Sequence, residues 1–114
     1  SRVAGEVKDF DPSRYMDRKE ARRADRVTQL AFVAANEAVS QSGYDPSSSN
    51  GEDFAVIIGT AIGGIATLMA EYDTLREKGP SRVSPFLMPM MLSDMTSGQL
   101  GIHHFLAHLR PFNL

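Results

Sequence analysis

Cysteine and tryptophan are both absent from the 114 residues of this chain. The absence of cysteine excludes disulfide bonds, thiolate metal sites and a cysteine nucleophile within the sequence. No apolar run is long enough to span a bilayer, and the sequence shows no signal peptide. We therefore expect a cytoplasmic protein that does not associate with a membrane.

A large excess of charge of one sign is also lacking, because the net charge is -2. The charges are nevertheless unevenly placed. Residues 14–26 hold six of the twelve cations but only three of the fourteen anions, which gives this basic segment a charge of +3 and the remainder -5. One basic segment on an acidic body predicts a single site for an anionic partner.

Helical periodicity is strongest over residues 17–42, where alanine and valine recur at intervals of three and four. Asp17, with Glu20 three residues later, predicts an N-terminal cap, and Gly43 predicts the end of this helix. A second helix is predicted over residues 65–78, closed by Gly79. A third runs over residues 91–104 and is apolar on most sides, which predicts burial all round.

The other segments predict a strand and turns. Residues 54–58 form a continuous apolar run without alternation, which indicates a strand covered on both faces of a parallel sheet. Residues 59–64 are a glycine-rich turn, and residues 84–89 are expected to be irregular. The order of elements predicts an α/β fold whose sheet needs strands from outside this sequence.

Four stretches resemble the elongating β-ketoacyl–acyl-carrier-protein synthases, in family order and spacing over residues 1–102. They are Val3-Ala4-Gly5-Glu6-Val7, the run from Met16-Asp17-Arg18-Lys19 to Asp25-Arg26, Gly59-Thr60-Ala61-Ile62-Gly63-Gly64, and Ser84-Pro85-Phe86 through Pro89-Met90-Met91 to Gly98-Gln99. Residues 103–114 diverge from the family pattern. The resemblance implies that residues 1–114 are a fragment of the N-terminal half of such an enzyme.

The resemblance also implies a fold and an activity. The fold is a partial thiolase-like α-β-α-β-α sandwich, and the complete enzyme is a homodimer. It condenses an acyl thioester with malonyl-carrier protein in fatty-acid elongation, through a cysteine that this sequence does not contain. No metal or other cofactor is implied, because substrates arrive on the phosphopantetheine arm of acyl carrier protein. The chain by itself is therefore expected to be inactive.

Six residues acquire roles through the resemblance. Lys19, Arg22 and Arg23 would dock the acidic recognition helix of acyl carrier protein, although a charge run is also typical of a solvated helix face. Ile62 would line the acyl pocket and gate chain length. Leu87 and Met88 would line the partner's acyl channel, although methionine-rich segments also fill ordinary cores.

Three alternatives remain from the sequence. The chain could belong to a non-catalytic chain-length-factor-like polyketide subunit, in which a glutamine replaces the nucleophilic cysteine. It could also be a small interaction protein whose basic helix binds nucleic acid, which the resemblance argues against. His104 and His108 are spaced like a metal pair on a helix, but no third ligand is evident, so we expect no metal site.

Overall fold

A computed structural model describes residues 3–45 and 55–104, and the described part is built from helices. The α-helices are α1 (Arg18–Ala21), α2 (Arg26–Ser42), α3 (Ile65–Lys78), α4 (Leu87–Met91) and α5 (Ser93–His104). Short 3-10 helices at Pro12–Arg14 and Pro80–Arg82 precede α1 and α4. Helix α2 packs beside α5, and α3 packs beside α4. No helix in these two ranges combines the length and the hydropathy needed to cross a bilayer.

The predicted helix over residues 17–42 is interrupted, so that prediction is wrong between Arg22 and Asp25. Asp17 lies at the start of α1, but its side chain makes no capping hydrogen bond. Asp25 is extended, with φ -63° and ψ 160°, and its carboxylate accepts from the Val27 N–H at 3.0 Å. Asp25 caps a new helix at this point. Its carboxylate satisfies a backbone N–H in the first turn of α2 that has no intrahelical partner, and this stabilises the interruption.

Gln29 stabilises the other side of the interruption. Its side-chain amide donates to the carbonyl oxygens of Ala21 at 2.9 Å and Ala24 at 3.1 Å. These carbonyls lie where α1 ends, so one side chain from α2 replaces helical hydrogen bonds that the break removes. At the far end, Gly43 has φ +67° and ends α2 as predicted.

The hydrophobic core is small and lies between α2 and α5. Met16, Phe32 and Leu100 form its buried cluster, and Val56 and Ile58 pack against it. Ala21, Ala31 and Ala35 also pack against this cluster, so alanines of α1 and α2 contribute to the core.

Residues 55–58 form no strand with any other described segment, whereas the sequence predicts a strand over residues 54–58. Phe54 lies outside the described residues. Ile57 is 89% exposed, while Val56 and Ile58 are half-buried, so the segment is covered on one face and not on two. A strand needs hydrogen-bonding neighbours on its edges, and residues 3–45 and 55–104 do not supply them.

Helix α3 has the predicted bounds and ends at Gly79, whose φ is +83°. The prediction of an irregular segment over residues 84–89 is wrong at its end, because α4 already begins at Leu87. Leu92 has ψ 135° and separates α4 from α5, so the predicted third helix begins at Ser93. Helix α5 buries Leu100 but leaves Ile102 61% exposed, so the expected burial all round is not found.

Candidate functional site

The predicted carrier-docking residues lie on α1 and in the turn that follows it. Lys19 is on α1, and Arg22 and Arg23 occupy the turn between α1 and α2. All three residues are exposed. Because α1 ends at Ala21, the three cations are displayed by a short helix and a turn rather than along one face of a long helix.

Arg23 differs from the other two cations, because its guanidinium carbon lies 4.4 Å from the centre of the Phe86 ring. A guanidinium over an aromatic face is attracted by the ring quadrupole. Phe86 immediately precedes α4, so this contact joins the turn between α1 and α2 to the start of α4. Lys19 and Arg22 are therefore the simplest candidates for contact with an external anion, while Arg23 also has a contact within the chain.

Arg26 has an anchoring contact, although it belongs to the same charge run. Its guanidinium donates to the Val7 carbonyl oxygen at 2.8 Å and lies 5.4 Å from the centre of the Phe10 ring. These contacts attach the N-terminal segment to the first turn of α2. Arg26 therefore lies on a different element from Arg18, because the interruption at Asp25 separates α1 from α2.

The glycine turn packs directly against the end of α4. Gly63 has φ +75°, and a Cβ placed there would lie 2.5 Å from the Met91 carbonyl oxygen. The Gly64 N–H donates to that same carbonyl oxygen at 3.0 Å. A Cβ on Gly64 would collide with the Met90 carbonyl oxygen. Only glycine permits this approach of two backbones.

The three predicted acyl-binding residues lie on the two elements that this contact joins. Ile62 precedes Gly63 and is 67% exposed, Leu87 is half-buried at the start of α4, and Met88 is 55% exposed. The contacts between the two elements run through the Gly63–Gly64 and Met90–Met91 backbones. Apolar side chains exposed on adjoining elements can form part of a wall for an apolar ligand.

Sequence reasoning missed the buried polar contacts that hold these elements together. Asp25 is 5% exposed, and its second carboxylate oxygen accepts from the Thr67 N–H at 2.8 Å and from the Thr67 hydroxyl at 2.6 Å. One turn further along α2, the hydroxyl groups of Thr28 and Thr96 are 3.0 Å apart and buried. The first turn of α2 is thereby joined to both α3 and α5. Asp25 stands before a periodic helical segment, which is the signal that could have identified it as a cap.

A cavity of about 250 Å³ adjoins the turn between α1 and α2. Arg23, Met16, Phe32 and His103 are among the residues that line it, and the His103 ring meets the Phe32 ring edge-on at 4.8 Å between centres. Ile62, Leu87 and Met88 do not line it. The predicted His104–His108 pair falls outside the side chains that the structure describes.

Comparison with known proteins identifies the family. Residues 1–107 match the family described as Beta-ketoacyl synthase, N-terminal domain. This chain belongs to the β-ketoacyl synthase family. Over 100 residues it is 46% identical to a 3-oxoacyl-[acyl-carrier-protein] synthase 2 of Staphylococcus aureus, an alignment that covers 88% of this chain and 25% of that protein. A Synechocystis protein of the same name is 43% identical over 102 residues, which are 90% of this chain and 24% of that protein.

The β-ketoacyl synthase fold is also shown by a solved structure. A chain from the complex of a type II PKS acyl-carrier protein with its ketosynthase superposes with a TM-score of 0.80, at 21% identity. The superposition covers 86% of this chain and 28% of that one. This likeness confirms the predicted fold class, a partial thiolase-like α/β fold. This chain spans about a quarter of the curated relatives that it matches.

Proposed function

We propose that this chain forms part of a β-ketoacyl-acyl-carrier-protein synthase that condenses an acyl thioester with malonyl-carrier protein in fatty-acid elongation. The relatives at 43–46% identity carry the name 3-oxoacyl-[acyl-carrier-protein] synthase 2, which describes this chemistry. The observation that carries the proposal is the backbone contact between Gly63–Gly64 and Met90–Met91, with exposed apolar residues on both elements.

In the proposed reaction, a cysteine thiolate takes the acyl group from its carrier thioester and releases the carrier thiol. Malonyl-carrier protein then loses CO₂, and the resulting carbanion attacks the acyl thioester, which forms the new carbon–carbon bond and releases the cysteine. The chain contains no cysteine, so the nucleophile would come from outside these 114 residues. No metal or other cofactor enters the proposed chemistry, since the phosphopantetheine arm carries both substrates.

The role proposed for Lys19, Arg22 and Arg23 is to bind acyl carrier protein. All three are exposed on adjoining elements, and an acidic partner that binds and leaves at each turnover is recognised efficiently by exposed cations. The solved structure that this chain resembles contains an acyl-carrier protein bound to its ketosynthase, which supports a partner of the same type here.

The role proposed for Ile62, Leu87 and Met88 is to line the space for the acyl chain. Each has apolar surface that the described residues leave at least partly uncovered. Leu87 and Met88 would contact the acyl chain bound to a second copy in a homodimer. A cytoplasmic location, and the lack of nucleic-acid and membrane partners, remain predictions of this proposal.

The test is a chimeric enzyme in which this sequence replaces the aligned segment of the Staphylococcus aureus relative, which leaves the remaining three quarters of that protein in place. We expect the chimera to form ketoacyl product from acyl- and malonyl-carrier protein. The unmodified relative serves as the positive control, and the isolated chain as the negative control. A folded, dimeric chimera that forms no product would contradict the proposal.

A further inference from the structure

The Asp25 carboxylate is shared between two helices that are far apart in sequence. One oxygen accepts from the Val27 N–H at 3.0 Å, at the start of α2. The other accepts from the Thr67 N–H at 2.8 Å and the Thr67 hydroxyl at 2.6 Å, in the first turn of α3. Because Asp25 is only 5% exposed, water has little access to replace either set of hydrogen bonds.

Helix α3 depends on this distant residue because its own N-terminal position cannot supply a cap. Gly64 precedes the helix and has no side chain, so the free N–H groups of the first turn need acceptors from elsewhere. Asp25 provides one such acceptor. On the opposite side, the Gly64 N–H donates to the Met91 carbonyl oxygen at 3.0 Å. The junction between the glycine turn and α3 is therefore held both by Asp25 and by the end of α4.

We propose that Asp25 is a positioning residue for acyl-chain selection, which acts by fixing the glycine turn and its Ile62 relative to α2. This inference rests on the proposed function, because it assumes that Ile62 lies beside the acyl chain. A cap for α2 alone would require only one acceptor, such as that of serine or asparagine. Among the described residues, the second carboxylate oxygen accepts side-chain and backbone hydrogen bonds from Thr67, and hence it serves the placement of α3 and the turn before it.

Asp25→Asn separates these two tasks. An amide has one acceptor oxygen, so asparagine can still cap α2 but cannot also accept from the Thr67 N–H. Asp11→Asn is the matched control. Asp11 caps the first 3-10 helix, and hydrogen bonds from the Ser13 hydroxyl and N–H lower the pKa of Asp11 below its ordinary value. Asp11 is exposed, and its side-chain hydrogen bonds in the described part of the chain come from Ser13, so it tests the cost of losing a capping carboxylate without disturbing α3.

The experiment measures kcat/KM for a short and a long acyl primer in the chimeric enzyme, together with the melting temperature. We expect Asp25→Asn to change the long-to-short ratio by roughly twofold to tenfold, which is the range that corresponds to the loss of one hydrogen bond to a buried group. Only the long chain extends to the displaced turn, so the short primer should react nearly as before. Asp11→Asn should leave the ratio unchanged.

A second variant is available if Asp25→Asn does not fold. Thr67→Val removes the hydroxyl donor and keeps the backbone N–H, and it should shift the ratio in the same direction by a smaller factor. Thr74→Val, which removes a hydroxyl that donates to the Ala70 carbonyl oxygen within α3, is its control. Equal losses for both primers, or an unchanged ratio in both site variants, would overturn this inference alone. A chimera without condensing activity would overturn the proposed function and this inference with it.

Discussion

The packing of the glycine turn against α4 leads to a sharp prediction for Gly64→Ala. The new Cβ would lie 2.9 Å from the Met91 Cα and 3.0 Å from the Met90 carbonyl carbon, and closer still to the Met90 carbonyl oxygen. All three are backbone atoms, so no rotation of a side chain can relieve the collision. Either α4 or the first turn of α3 has to move.

The expected cost follows from that geometry. Inserting a methyl group into a contact that cannot repack destabilises a protein by about 1–3 kcal/mol. Gly98 provides the matched control, because it lies inside α5 and a Cβ there meets nothing within 4 Å. Gly98→Ala should instead stabilise the helix by about 0.5–1 kcal/mol, since alanine loses less conformational entropy on folding. The two glycine-to-alanine changes are thus predicted to have opposite signs.

The measurement is the thermal unfolding midpoint of the chimeric enzyme carrying each change, with kcat/KM for a long acyl primer as a second readout. Gly64→Ala should lower both the midpoint and the use of the long primer, while Gly98→Ala should raise the midpoint. A Gly64→Ala enzyme with the midpoint and the primer use of the parent would refute the close contact between the glycine turn and α4.

Three further predictions concern docking, chain length and the isolated chain. Charge reversal at Lys19 and Arg22 should lower kcat/KM for carrier-bound substrates by a factor that shrinks as salt rises. Charge reversal at Arg23 should also lower the melting temperature, because it removes the contact with Phe86. Wild-type kcat/KM at low salt for all three changes would contradict the docking role. Ile62→Phe should shorten the accepted acyl chain, because each displaced methylene forfeits about 0.8 kcal/mol of burial. Equal losses of kcat/KM for short and long primers would mean that Ile62 has only a structural role. The isolated chain should show no condensing activity, because it has no cysteine. It should also show no cooperative unfolding, because side chains such as Met69 and Met88 are more than half exposed. A monomer with one sharp thermal transition would disprove the expectation about unfolding.

Local sequence signals predicted much of the helical structure. Helix α3 has the expected bounds, and its C-terminal end follows from Gly79, whose effect on the backbone is local. Gly43 ends α2 for the same reason. Four motifs in family order were also sufficient to recognise the β-ketoacyl synthase family, which the match over residues 1–107 confirms. The division into a matching part and divergent residues 103–114 stays a prediction.

Contacts between distant residues decided the rest. A helix cap at Asp25 is recognisable from the residues that follow it, but the partner of its second carboxylate oxygen, Thr67, lies 42 residues away and is identified only by the tertiary structure. The sequence indicated a glycine-rich turn over residues 59–64, but the tertiary structure identified α4 as the element that packs against Gly63 and Gly64. Hydrogen bonds and steric fit across such distances depend on how the helices pack, whereas caps and turns depend on neighbours in the chain.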